Sequence, residues 1–188
     1  MINVYLFRTS SFPSTQLDEI IRLANAYQGP LHFIFGDHVF EDCSDDFDAN
    51  DLFHQMQNVR KKLKIKKDAF ASVYGMNRLN NNYFSMGDGK KNYYIHHKSW
   101  NVLSNIDSIY PNVYILYSNI LKEHVYSDFK LLMKSVHYET RGCYMDFCQN
   151  KSDILFQLRT ADTCEHCIKD ISHAQLDDSV SQYINFFI

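Results

Sequence analysis

The sequence predicts a mixed α/β or α+β domain with a small zinc-bound C-terminal portion, on three observations. Short apolar runs rich in branched and aromatic residues alternate with helical patterns in the first half. An Asp-Gly pair separates two extended stretches in the middle. Four of the five cysteines fall within the last quarter of the chain, at Cys143, Cys148, Cys164 and Cys167.

Ile2 to Phe7 reads as a first buried strand, closed by a Ser/Pro turn. A helix follows, with Thr15 as cap, Asp18 three residues on, and Leu17, Ile20, Ile21 and Ala24 at helical spacing until Gly29-Pro30. Leu31 to Phe35 is a second strand, so the chain opens with a βαβ unit. Gly36 to Asp51 is expected to be a solvated acidic loop; it lacks the glycine and final glutamate that an EF-hand needs. Asn50 is the expected cap of a helix from Asp51 to about Leu63, with Leu52, Met56, Val59 and Leu63 on one face.

Three extended stretches come next, Ala69 to Tyr74, Tyr83 to Met86 and Asn92 to His96, the last two joined at Asp88-Gly89. His96 and His97 are adjacent, so they point to opposite faces and do not share a metal; they read as surface or hydrogen-bonded histidines. Val113 to Val136 is the longest helical candidate, with apolar residues every three or four positions. Ser152 caps a short expected helix from Asp153 to Leu158. The chain reads as a single domain, 1–188, with an α/β body over 1–136 and a zinc-stabilised portion over 137–188.

With 188 residues, 45% hydrophobic, the chain is long enough to bury a core. A formal net charge of −3 excludes diffuse attraction to nucleic acid or anionic lipid over the whole surface. No run approaches the roughly 20 apolar residues of a bilayer span, so no membrane partner is expected. No basic segment precedes the apolar start, and the expected location is the cytoplasm. In a reducing compartment, clustered cysteines favour metal over disulfides.

Structural zinc needs four soft donors in a tetrahedron, and two tight pairs joined by a segment supply them with little chain strain. Cys143-x4-Cys148 and Cys164-x2-Cys167, fifteen residues apart, fit this class, so one structural zinc ion on these four residues is expected. Four thiolates close the coordination shell, which makes the site structural and leaves no position for reacting water. His137 and His166 lie near enough to replace one thiolate, with His166 ranked below the cysteines because it sits inside the knuckle. Lys151 and Arg159 are candidates to donate toward thiolate sulfur, with surface salt bridging the competing role.

A βαβ opening, a hairpin, a long helix, then Cys-x4-Cys and Cys-x2-Cys resembles the archaemetzincin group of zincin-type metallopeptidases. The resemblance implies a zincin-like mixed sheet with packing helices. It also implies a long helix carrying HExxHxxGxxHC, whose last cysteine begins a separate four-cysteine zinc site. With Cys143 laid on that cysteine, Leu132 and Val136 fall on the helical histidines, Met133 on the glutamate, Glu139 on the glycine and Gly142 on the third ligand. No His-x3-His occurs anywhere in the chain, and the spacing between the cysteine pairs is shorter than in the family.

The reading that follows is a non-catalytic zincin-like protein, an accessory, sensor or interaction subunit whose partner is another protein, with no catalytic residues assigned. Thirteen tyrosines and fourteen phenylalanines supply aromatic side chains for an interface as well as a core. One competing reading is a nucleic-acid-binding zinc domain using the basic run Arg60, Lys61, Lys62, Lys64, Lys66 and Lys67. Another is a metallohydrolase with a divergent site of His124, Asp128 and His137. Cys43 has no neighbours that would lower its pKa, so cysteine catalysis is not indicated.

Overall fold

The computed structural model describes residues 1–26, 29–81, 83–98, 100, 106–126, 128–160 and 162–173. The last stretch of the expected zinc portion, 174–188, lies outside the described residues. The elements in chain order are β1 (Ile2–Thr9), α1 (Ser14–Ala24), β2 (Leu31–Phe40), α2 (Ala49–Lys62), β3 (Phe70–Gly75), β4 (Ser85–Gly87), β5 (Asn92–His96), α3 (Ile109–Val125), α4 (Phe129–Ser135), α5 (Lys151–Thr160) and α6 (Glu165–His173). The strands form one sheet in the order β2-β1-β3-β5-β4. All neighbours are parallel except β4, which runs antiparallel to β5 at the edge. The mixed α/β architecture expected from the sequence is what forms.

Alternation along the strands divides the core between the two faces of the sheet. Val4, Leu6, Phe70, Tyr74, Tyr93 and Ile95 join the cluster packed by α1 and α3. Phe7, Ala71, Val73 and Tyr94 join the other, where α2 contributes Leu52, Phe53, Met56 and Val59. Each of the Val, Leu, Ile, Phe and Met side chains among these, fully buried, contributes about 1.5–3 kcal/mol. The helix α3 is apolar nearly all round because it is covered on more than one side; it packs on α1, β5 and α5.

Several boundaries move for physical reasons. The strand β2 runs on through Gly36 to Phe40, with a register shift opposite Leu6 and Arg8. Gly36 permits this because a Cβ there would lie 2.1 Å from the Phe7 ring. Pro13, in extended conformation, precedes α1, so Thr15 lies inside the helix and makes no cap. That helix also ends well before Gly29-Pro30, because Asn25 turns its amide to the backbone N–H and carbonyl of Phe33. Asp48, not Asn50, caps α2 by accepting from Asn50 N at 2.9 Å. The long helix expected over Val113 to Val136 breaks at an extended Tyr126, and Asp128 starts α4 by accepting from Lys130 N at 2.7 Å. The short helix expected from Ser152 begins earlier, at Lys151, where Asp153 accepts from the backbone N–H groups of Gln149 and Asn150.

The acidic loop is not merely solvated. Asp42 accepts from the hydroxyls of Ser10 and Ser11, and Asp46 pairs with Arg78 at 2.7 Å. The Asp88-Gly89 hairpin forms, with Gly89 at φ 65° and Asp88 accepting from Lys90 N and Asn92 N.

His96 and His97 are buried, which corrects the expectation of a surface position; His97 hydrogen-bonds Asn112 and Ser108, as the other half of that expectation had it. Burial, reinforced by Lys151 and Lys98, lowers the His96 pKa to about 4. Its unfolded value near 6.5 is higher, so the unfolded chain takes up the proton first. The stability that depends on a neutral His96 is therefore fully present above about 6.5 and is lost as pH falls toward about 4. Urea midpoints measured across that window are expected to fall less steeply in His96→Gln than in the wild type. Equal slopes would assign the acid sensitivity elsewhere.

Candidate metal centre

Beyond the two main clusters lies a third, small core of Leu121, Tyr126, Cys143, Tyr144, Met145, Cys167 and Ile171. It joins the end of α3 to the segment after α4 and to α6. The segment is pinned by backbone pairing of His137 with Asp146: His137 N donates to Met145 O at 3.1 Å, and Phe147 N to His137 O at 2.7 Å. On the other side, Tyr144 N donates to Asp162 O, carrying Cys143 toward the start of α6.

These contacts bring His137, Cys143, Cys164 and Cys167 together, with one donor atom from each lying within 4.8 Å of the others. Cys143 Sγ and Cys167 Sγ are 3.7 Å apart, and His137 Nε2 is 3.8 Å from Cys164 Sγ and 3.5 Å from Cys167 Sγ. A tetrahedral zinc with Zn–S of about 2.3 Å and Zn–N of about 2.0 Å requires edges of roughly 3.8 Å and 3.5 Å. Spacing and donor chemistry therefore fit one zinc ion held by three thiolates and one imidazole.

Three of the four expected cysteines meet, and His137 takes the place expected for Cys148. The reason is tertiary. Cys148 packs against the main core, its thiol 3.7 Å from Asp146 O, and burial pushes that thiol up to about 12. His137 was visible in the sequence as a neighbour of the cluster, but only folding shows that it is a donor.

Asp146 is the residue that sequence reading missed. Its Oδ1 lies 3.1 Å from His137 Nδ1, and its Oδ2 accepts from Arg141 N at 2.6 Å and Gly142 N at 2.7 Å. A carboxylate on Nδ1 holds the imidazole in the tautomer that leaves Nε2 free for metal. No short-range spacing marks a pair nine residues apart, so nothing in the sequence pointed to it.

Between the two buried thiols, the Cys167 hydrogen bond lowers Cys143, and the same contact raises Cys167. Lys151 does not reach the thiolates: its ammonium donates to Lys98 O and sits 4.5 Å from the centre of the Trp100 ring. His166 turns outward, 3.8 Å from Asp170, as its place in the knuckle implied.

Among the described residues no other group of three metal-type donors converges. His124 and Asp128 are not brought to His137, and Asp128 is the α4 cap. In the basic run, Arg60 is committed to the backbone, donating to Lys66 O at 2.8 Å and Ala69 O at 2.9 Å. Cys43 is raised by burial and by Asp42 and Asp51, as its acidic setting implied. No helix among the described residues is long and apolar enough to cross a membrane.

No family model matches the sequence, and no curated protein is significantly similar to it. Solved structures are similar in fold. One is a zinc-dependent peptidase from Methanocorpusculum labreanum (strain Z), 14% identical, with 89% of this chain and 99% of that one covered and a TM-score of 0.60. Another is archaemetzincin from Methanopyrus kandleri, 13% identical, with 92% and 94% covered and a TM-score of 0.57. The chain thus has an archaemetzincin-like fold, a mixed sheet with packing helices.

Proposed function

We propose that this protein is a non-catalytic, zinc-binding member of the zincin architecture, acting as an accessory, sensor or protein-interaction subunit. The observation that carries the reading is a complete structural donor set in a chain that contains no HExxH.

The donor set also supports a different register against the family motif. With Cys143 on the second cysteine of the Cys-x4-Cys pair, Tyr138 falls on the first and His137 on the third histidine. The two helical histidines then fall on Ser127 and Leu131 and the glutamate on Asp128. Neither register supplies two imidazoles one helical turn apart, which a catalytic zinc of this class needs. Three exposed apolar side chains near the metal segment, Phe129, Leu131 and Tyr138, support a protein partner.

Metal analysis together with a peptidase assay tests this. About one equivalent of zinc and no cleavage of unstructured peptides by the zinc-replete protein is the expected result. Two equivalents, or cleavage that a chelator abolishes, would overturn it.

A further inference from the structure

The pair Cys164-x2-Cys167 spans the first turn of α6, and its sulfurs are not equally placed. Ile168 N donates to Cys164 O at 3.0 Å, so Cys164 stands at the cap of this nine-residue helix, with Cys167 on the same face one turn along. Both sulfurs belong to the group whose donor atoms all lie within 4.8 Å of one another. Cys143 and Cys167 are fully buried, whereas Cys164 is only partly covered. Of the three thiols in the clasp, Cys164 is the one open to solvent.

Cys143 is held in a different way. Its sulfur accepts from Cys164 N at 3.5 Å and from the backbone N–H of Met145. These main-chain donors fix it from the side away from solvent, and its 3.7 Å approach to Cys167 joins two buried sulfurs. Cys43 and Cys148 stand outside the group, and burial raises both thiols, which makes them slow nucleophiles.

We propose that Cys164 is a peroxide-reactive thiol whose oxidation to a disulfide with Cys167 opens the zinc clasp. The Cys164 sulfur attacks one oxygen of hydrogen peroxide, the O–O bond breaks, and the other oxygen leaves as hydroxide. The Cys167 sulfur then attacks the resulting sulfenic acid, the S–S bond forms, and a second hydroxide leaves. Each hydroxide takes a proton from solvent, and the electron pair given up by the two thiolates ends on the peroxide oxygens. The clasp then keeps only His137 and Cys143, too few donors for a closed tetrahedral shell, and releases the ion. Cys167 and Ile171 carry α6 into the third core, so that core loses its tie at the same step. The inference rests on the structural-zinc reading above and gives the sensor role a stimulus.

The test treats zinc-replete protein with millimolar hydrogen peroxide beside a chromophoric zinc indicator, followed by alkylation and trypsin digestion. Cleavage after Arg159 and Lys169 leaves both cysteines in one peptide, 160–169. Release of about one equivalent of zinc is expected, with that peptide unalkylated and lighter than its reduced form by a pair of hydrogens. Dithiothreitol should restore zinc binding, and Cys43→Ser and Cys148→Ser should respond as wild type does. Cys164→His keeps a nitrogen donor at the exposed position and should release zinc about tenfold more slowly. If that variant binds no zinc, the wild-type peptide map decides alone. Zinc retained under peroxide, or released with Cys164 still reduced or with a Cys143–Cys167 bridge, would overturn the switch and leave the proposed function standing. Peptide cleavage by the untreated protein would overturn that function alone, and protein that holds no zinc before peroxide is added would overturn both.

Discussion

Cys148→Ser is expected to retain one equivalent of zinc, whereas Cys143→Ser, Cys167→Ser and His137→Ala lose it on dialysis. The contrast follows from the donor set: the three residues changed in the losing variants meet at one point with Cys164, while Cys148 faces the main core. Structural zinc contributes about 10–16 kcal/mol to folding in small zinc peptides. Here the sheet and its helices have cores of their own, so the loss should fall on the small third cluster around Tyr144, Met145 and Ile171. Hydrogen exchange is expected to rise in α6 and the 137–146 segment and to stay slow in β1, β3 and β5. Cys148→Ser should cost only about 1 kcal/mol, a partly buried thiol exchanged for a hydroxyl. Asp146→Asn should weaken zinc by about 10–100-fold without abolishing it, as expected for a partner that orients a ligand. Zinc release by Cys148→Ser with retention in His137→Ala would reverse the assignment and restore the four-cysteine site.

How much of this could be read in advance depends on where the deciding contact lies. The strands were legible because their apolar runs record burial on both faces, and β5 was bounded correctly at Asn92 and His96. The break between α3 and α4 was not, because Leu132 and Val136 continue the apolar spacing of the preceding helix. Only the competition from Asp128, a strong cap, interrupts it. At the metal centre the Cys164-x2-Cys167 knuckle is local and was read directly, whereas the choice between His137 and Cys148 rests on which side of the 137–148 segment faces the third core. Spacing favoured Cys148, and backbone pairing with Asp146 decided for His137.

Gly142→Ala is expected to destabilise the protein by about 2–4 kcal/mol and to weaken zinc retention with it. Gly142 has φ 89°, a left-handed value that costs a residue with a Cβ about 1–3 kcal/mol. A Cβ there would also lie 2.5 Å from Thr160 Oγ1 and 2.8 Å from its Cγ2. Thr160 cannot simply rotate away, because the same hydroxyl donates to Gly142 O at 2.8 Å; moving it forfeits about 1 kcal/mol. The steric cost can be reduced in part, because adding Thr160→Ser removes the Cγ2 contact at 2.8 Å while the closer Oγ1 contact at 2.5 Å stays. The double variant should recover about 1 kcal/mol at most and leave the backbone strain and the hydroxyl contact in place. Gly142 precedes the ligand Cys143, and its N–H is one of the two that hold the Asp146 carboxylate at His137. A shifted backbone therefore disturbs a ligand and the orienting group of another ligand at once. Urea denaturation of the single and double variants, read beside their zinc content, checks this. A single variant within about 0.5 kcal/mol of wild type would mean that the turn accommodates a side chain, and that the close approach of α5 to the metal segment is not what fixes the clasp.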